Sequence, residues 1–125
     1  MYDPKTAGER RRTERYYLKG EASAFVDSNI NLMGKIEDIG IGGLSFRYLQ
    51  LTVEERKPDN INLILPKQNF SIERIPVKVV SDVEEMNRSC FSTVIMRRCG
   101  VSFNTLSDRQ ISQLNYFLEN FTTSD

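Results

Sequence analysis

The hydrophobic period of this chain changes once, near residue 103, and that change limits the folds open to it. Before it, apolar and polar residues alternate in short runs, and after it they recur at steps of three and four. Leu18, Gly20, Ala22, Ala24 and Val26 alternate with Lys19, Glu21, Ser23 and Asp27, which predicts a half-buried strand from Leu18 to Val26. Asp27-Ser28-Asn29 then supplies turn chemistry. A second strand is expected over Asn31 to Asp38, with Leu32, Gly34 and Ile36 on one face and Met33, Lys35 and Glu37 on the other. It ends at Gly40, Gly42 and Gly43, and a third strand carries Leu44, Phe46 and Tyr48. Runs rich in Ile, Val and Phe at Asn60 to Leu65, Phe70 to Ser81 and Phe91 to Phe103 bring the total to six. Polar turns separate them, so a closed six-stranded antiparallel β-barrel is the expected architecture.

The last segment differs because Ile111, Leu114, Phe117, Leu118 and Phe121 form a stripe at helical spacing. Ser107 and Gln110, three residues apart, match a capping box at its start. The fold class is thus all-β with one C-terminal α-helix. At 125 residues the chain is one domain's worth, long enough to bury a core without staples. Residues 1–17 hold Pro4, Gly8 and eight charged side chains, a composition that predicts a flexible N-terminal arm, with the barrel and helix over residues 18–125.

Charge is balanced overall but not locally. Lys5, Arg10, Arg11, Arg12, Arg15 and Lys19 face only Glu9 and Glu14 between residues 5 and 19, in a chain whose formal net charge is zero. A coat for long nucleic acid or an anionic membrane would carry a basic excess over a whole face, so the pattern favours a small anion met by one loop. Within that loop only Arg11 and Arg15 satisfy an Arg-x-x-x-Arg spacing, since Glu14 follows Arg10 and Tyr16 follows Arg12 at the same step. Guanidinium forks match phosphate oxygens and the O6/N7 edge of guanine, and a carboxylate accepts from guanine N1 and N2 hydrogens. Asp38, in Asp38-Ile39-Gly40-Ile41-Gly42-Gly43, supplies the carboxylate, which points to a guanine nucleotide. The glycines are not a dinucleotide fingerprint: Ser45 stands where the third glycine belongs, and Leu44 to Tyr48 alternates as a strand. Their plain structural reading is a turn needing positive φ, most directly at Gly42.

From Glu9 to Phe121 the chain resembles the PilZ domains, bacterial receptors for cyclic di-GMP that pair an Arg-x-x-x-Arg loop with an Asp/Asn-x-Ser-x-x-Gly element. The first motif is matched at Arg11 and Arg15, and the second at Asp38 and Gly43, with Gly40 in place of the serine. A barrel with a C-terminal helix is also that family's architecture, and Gly100-Val101-Ser102-Phe103 resembles its last strand. The resemblance implies cyclic di-GMP as ligand, Arg11 and Arg15 on its phosphates and guanines, Asp38 accepting from a guanine, and Gly43 allowing close backbone approach. Arg10 and Arg12 would extend the phosphate contacts, and an arginine directly before the motif resembles the members that hold a stacked nucleotide pair. Loss of one hydrogen bond to a charged group, as at Gly40, costs about 1.5 to 3 kcal/mol, or about 10- to 150-fold in affinity.

Little else in the chain offers chemistry. It has no histidine, and Cys90 and Cys99 lack metal-ligand spacing, so neither a metal site nor a cofactor is expected and the chain reads as a binding module instead of an enzyme. Cys99 lies in a strand-like run and Cys90 in a turn-like one, with free thiols and a disulfide both open. No apolar run reaches membrane-spanning length and Met1 is followed by Tyr-Asp-Pro-Lys, so a cytoplasmic protein with no membrane insertion is expected. Arg97 and Arg98 should point to opposite faces of the last strand, one toward the ligand side and the other toward solvent or the core rim, with solvation the main role expected of both. Tyr16 and Tyr17 either cover the open end of the barrel or stack on a base. The expected action is that ligand orders the arm and changes the surface shown to a protein partner. One alternative is a PilZ-like barrel that has lost its nucleotide and serves only as an interaction module, and another is a single-stranded nucleic acid binder. Oligomeric state and downstream pathway stay open.

Overall fold

The computed structural model describes residues 14–20, 22–50, 56–85 and 95–123. Eight strands and one α-helix follow in order: β1 (Tyr17–Leu18), β2 (Phe25–Ser28), β3 (Met33–Ile39), β4 (Gly43–Leu49), β5 (Asn60–Leu65), β6 (Phe70–Glu84), β7 (Met96–Phe103), α1 (Asp108–Phe121) and β8 (Thr122–Thr123). A 3-10 turn, Pro66–Gln68, links β5 to β6. Six strands close an antiparallel barrel in the order β2-β3-β4-β7-β6-β5, and the two short strands β1 and β8 pair with each other. The barrel and its terminal helix have the architecture that the alternation and the late change of period require.

The inward residues make one core. Val26, Ile36, Ile39, Leu44, Phe46, Ile61, Leu63, Leu65, Ile72, Val101 and others from all six strands are buried there with Leu114 and Phe117 of the helix. Alternation is clearest in β5, where Ile61, Leu63 and Leu65 are buried and Asn60, Asn62 and Ile64 are only partly so. Burying such branched side chains supplies about 1.5 to 3 kcal/mol each, the main favourable term for a domain of this kind.

The expected single strand from Leu18 to Val26 is instead two elements. Gly20 adopts a left-handed backbone with φ of 56°, and Ala22 N–H donates to the Lys19 carbonyl at 3.0 Å, which together turn the chain between β1 and β2. Positive φ is thus used at Gly20 and not at Gly42, where the sequence most directly suggests it, and Gly40 and Gly43 also keep ordinary φ. Leu18 consequently joins Thr122 at the far end of the chain, and Lys19 N–H donates to the Phe121 carbonyl at 2.9 Å.

Helix α1 begins as its sequence dictates. Ser107 Oγ accepts from Gln110 N–H at 3.1 Å and Gln110 Oε1 accepts from Ser107 N–H at 3.0 Å, a reciprocal capping box. Gln110 Nε2 also donates to the Glu73 and Arg74 carbonyls at 2.8 and 3.0 Å, anchoring the helix start on β6. There Arg74 takes a φ of 56° and its N–H donates to Asn62 Oδ1 at 2.8 Å, at an irregularity in the β5–β6 register. Phe117 is fully buried, nearly parallel to Phe70 with ring centroids 6.2 Å apart, and Phe121 lies 5.8 Å from it. Ile111, at the start of the stripe, is 42% exposed.

A polar cluster fills one end of the barrel. The Tyr48 hydroxyl donates to both Asp82 carboxylate oxygens (2.7 and 2.9 Å), Arg97 Nε donates to Asp82 Oδ1 at 3.0 Å and Arg97 Nη1 to Gln50 at 3.2 Å. Burial first, and then the bond to Asp82, push the Tyr48 hydroxyl well above its ordinary range, so it stays a donor. Cys99 is buried beneath this cluster, with its thiol pushed up to about 12 chiefly by desolvation, which leaves an inert packing residue. Cys90, and with it any pairing of the two, lies outside the described residues. Among the described residues no helix is long and apolar enough to cross a membrane, and no group of three or more His, Cys, Asp or Glu gathers to hold a metal.

Candidate functional site

Asp38 owes its position to a bulge. Gly34 and Ile36 face inward, and strict alternation would send Asp38 the same way. The β3–β4 register slips between Ile36 and Asp38, so Asp38 lies opposite Ser45 and the next inward residue is Ile39, fully buried opposite Leu44. Leu44 and Phe46 fill the core on either side of Ser45, so Ser45 and Asp38 point to the outer side of the barrel wall, where both are nonetheless buried. A bulge re-aims a side chain in this way at the cost of one irregular pair.

Both oxygens of the Asp38 carboxylate face guanidinium groups. Arg15 Nη1 stands 3.5 Å from Oδ1, and Arg98 Nη2 donates to Oδ2 at 3.3 Å. Arg98 comes from β7, where its register partner on β4 is Arg47. The two like charges sit together because Glu37, the residue released by the bulge, bridges them: its Oε1 is 3.3 Å from Arg98 Nε and its Oε2 3.4 Å from Arg47 Nε. Arg47 also donates to Glu85 at 2.9 Å. Arg98 is therefore part of the site and not a merely solvated residue, while Arg97 turns the opposite way into the Asp82 cluster. The opposed faces follow from strand alternation, but which face met Asp38 depends on barrel closure.

The rim beyond Asp38 is stiff. Gly40 N–H donates to the Gly43 carbonyl and Phe103 N–H to the Gly42 carbonyl, both at 2.8 Å, tying the turn to itself and to β7. Tyr16 lays the end of the arm against this rim in an antiparallel bridge: Tyr16 N–H donates to the Ile39 carbonyl at 2.8 Å and Ile39 N–H to the Tyr16 carbonyl at 3.1 Å. Tyr17 is half exposed beside it. The bridge delivers Arg15 to Asp38. Arg10, Arg11 and Arg12 lie outside the described residues.

Two buried polar atoms around Asp38 have no hydrogen-bond partner among the described residues, Arg15 Nη1 and Ser45 Oγ. The Arg15–Asp38 contact is an ion pair too long to serve as a good hydrogen bond. Unpaired buried donors are costly, typically about 1 to 3 kcal/mol, and are few in native structures.

Gly43 is glycine for a reason internal to the barrel. A Cβ there would overlap the Val101 carbonyl oxygen and crowd the Ser102 Cα, because β4 and β7 approach closely at this pair. Gly43→Ala is expected to lower stability by at least about 1 to 3 kcal/mol, since two strand backbones must separate. Urea unfolding monitored by circular dichroism would read this as a lower midpoint with an unchanged slope.

The PilZ domain family profile matches residues 9–120, which covers most of the chain. This chain belongs to the PilZ domain family. Its barrel superimposes on the PilZ domain of YcgR from Escherichia coli, a structure with cyclic di-GMP, at a TM-score of 0.61 and 16% identity over 88% of this chain and 92% of that one. MrkH, described as a cyclic di-GMP-dependent transcription regulatory factor, matches at a TM-score of 0.65 and 17% identity over 89% of this chain. A structure of YcgR from Escherichia coli in complex with cyclic di-GMP matches at 0.55 and 18% identity over 88% of this chain. This PilZ chain spans 50% of MrkH and 46% of that YcgR chain. No curated protein sequence matches it significantly. At these identities the likeness is one of fold, and the chemistry of the site rests on the residues of this PilZ domain itself.

Proposed function

We propose that this PilZ domain is a binding module, not an enzyme, and acts as a receptor for cyclic di-GMP in the bacterial cytoplasm. The observation that carries the reading is the unpartnered, buried Arg15 Nη1 held beside Asp38 on the outer wall of the barrel. A phosphate or guanine acceptor satisfies that donor, and the Asp38 carboxylate accepts from guanine N1 and N2 hydrogens. Arg11 reaches the same ligand from the arm, Arg10 and Arg12 extend the phosphate contacts, and Gly40 and Gly43 form the floor of the rim. Binding closes the residues that precede Glu14 over the Asp38–Gly43 rim and so alters the surface offered to a protein partner. Family membership supports this ligand class, the two YcgR structures are described with the same nucleotide, and MrkH is described as dependent on it.

The test is calorimetric titration with cyclic di-GMP, with GTP as competitor. Saturable binding with one or two nucleotides per chain is expected, two if Arg10 supports a stacked pair. Amide exchange in the arm should slow on saturation, and unchanged exchange would refute the closing step. A second reading, a PilZ domain that binds no nucleotide and serves protein interaction alone, draws support from the missing hydroxyl at Gly40. It requires no heat up to millimolar ligand.

A further inference from the structure

Gly40 touches the arm. A Cβ built on it would overlap the main-chain carbonyl oxygen of Glu14, with the Glu14 carbonyl carbon at 3.4 Å and Arg15 Cδ at 3.8 Å. The obstruction is backbone, so no rotamer change relieves it and any side chain at position 40 displaces the arm. Gly40 has ordinary φ, so its backbone conformation does not itself demand glycine. Among the described residues the feature that does so is the carbonyl of Glu14. One residue before Gly40 and two after Glu14 lies the Tyr16–Ile39 bridge, whose two hydrogen bonds depend on the same close approach.

We infer that Gly40 is a positioning residue: the absence of its side chain admits the Glu14 carbonyl against β3 and so sets Arg15 over Asp38 before any ligand arrives. In the receptor reading, on which the functional half of this inference rests, the glycine does more than delete a serine hydroxyl. It trades one contact with the ligand for an arm root that is already docked, so the ordering that binding requires falls on fewer residues. The position of Arg15 and the identity of residue 40 are then coupled, although no side chain at 40 touches the nucleotide.

Gly40→Ala separates the two roles, because it adds a methyl group without adding or removing a polar group. In ligand-free protein, hydrogen exchange at the Tyr16 amide, which donates to Ile39, should accelerate by roughly tenfold or more, while core amides such as those of Phe46 and Val101 keep their protection. Cyclic di-GMP affinity should fall by roughly fivefold or more, and adding Arg15→Ala to Gly40→Ala should cost less than Arg15→Ala costs alone, the mark of residues acting through one another. Tyr16→Pro removes the same bridge donor without altering Gly40; it has no amide of its own at position 16, so the expected effects are faster exchange at the Ile39 amide, which donates to the residue-16 carbonyl, and the same loss of cyclic di-GMP affinity, which covers the case in which Gly40→Ala does not fold. Unchanged Tyr16 exchange in Gly40→Ala overturns the inference, as does full additivity of Gly40→Ala with Arg15→Ala. The exchange experiment contains no ligand, so if the wild-type protein binds no cyclic di-GMP the receptor reading falls and the seat at Gly40 is still judged.

Discussion

Arg15→Ala should weaken cyclic di-GMP binding by roughly 10- to 150-fold for each charged hydrogen bond lost, the equivalent of about 1.5 to 3 kcal/mol apiece. A guanidinium makes such bonds in pairs, so the loss is expected at or beyond the upper end. Arg15 also sets the charge around Asp38, one of whose oxygens faces it at 3.5 Å. Its removal leaves Arg98 as the remaining partner of that carboxylate among the described residues. Arg15→Lys should recover little, because an ammonium group keeps the charge but not the planar fork. The measurement is calorimetry on wild type and both variants at one salt concentration, with thermal unfolding as control. Because the Arg15 side chain is 36% exposed and outside the core, the unfolding midpoint should barely move. A variant that binds like wild type would remove Arg15 from the site and with it the receptor reading.

The second large effect concerns stability. Phe117→Ala is expected to cost about 3 to 5 kcal/mol, the range for deleting a buried aromatic ring. Phe117 is fully buried, it sits against Phe70 and Phe121, and it joins the helix to the barrel core. Against a total stability of about 5 to 15 kcal/mol, that loss is a large fraction of what holds the domain together. Chemical denaturation should show it directly, and Phe117→Leu, which refills most of the volume, should recover over half. A cost below about 1 kcal/mol would mean that the helix is not integral to the core. The helix end also carries β8, whose pairing with β1 holds the root of the arm, so Phe117→Ala should loosen Leu18 as well.

The barrel, the terminal helix and its capping box were legible in the chain because each is a local pattern. Alternation in Asn60 to Leu65 and the stripe through Leu114 and Phe117 reflect which side of an element meets the core, and that is decided within a few residues. The Arg-x-x-x-Arg spacing and Asp38 were legible for the same reason; of these residues the structure sets Arg15 beside Asp38, while Arg11 lies outside the described residues. Strand ends were less so, since the turn at Gly20 interrupts an alternation that otherwise continues to Val26.

What tertiary structure alone decided depends on pairs distant in sequence. The slip in register after Ile36 turned Asp38 outward, a shift that no count of apolar residues shows because Ile36 and Ile39 both stay buried. Arg98 reached Asp38 from 60 residues away, since barrel order places β7 beside β4 and β4 beside β3. Gly43 is dictated by the Val101 carbonyl of a neighbouring strand, and Gly40 by the Glu14 carbonyl of the arm. A sequence read alone determines periods and residue types, so it determined the barrel, the helix and the chemistry available on the rim. Close approach of one backbone to another leaves no periodic trace, and only the closed barrel, which fixes every register at once, could decide what each glycine and each arginine meets.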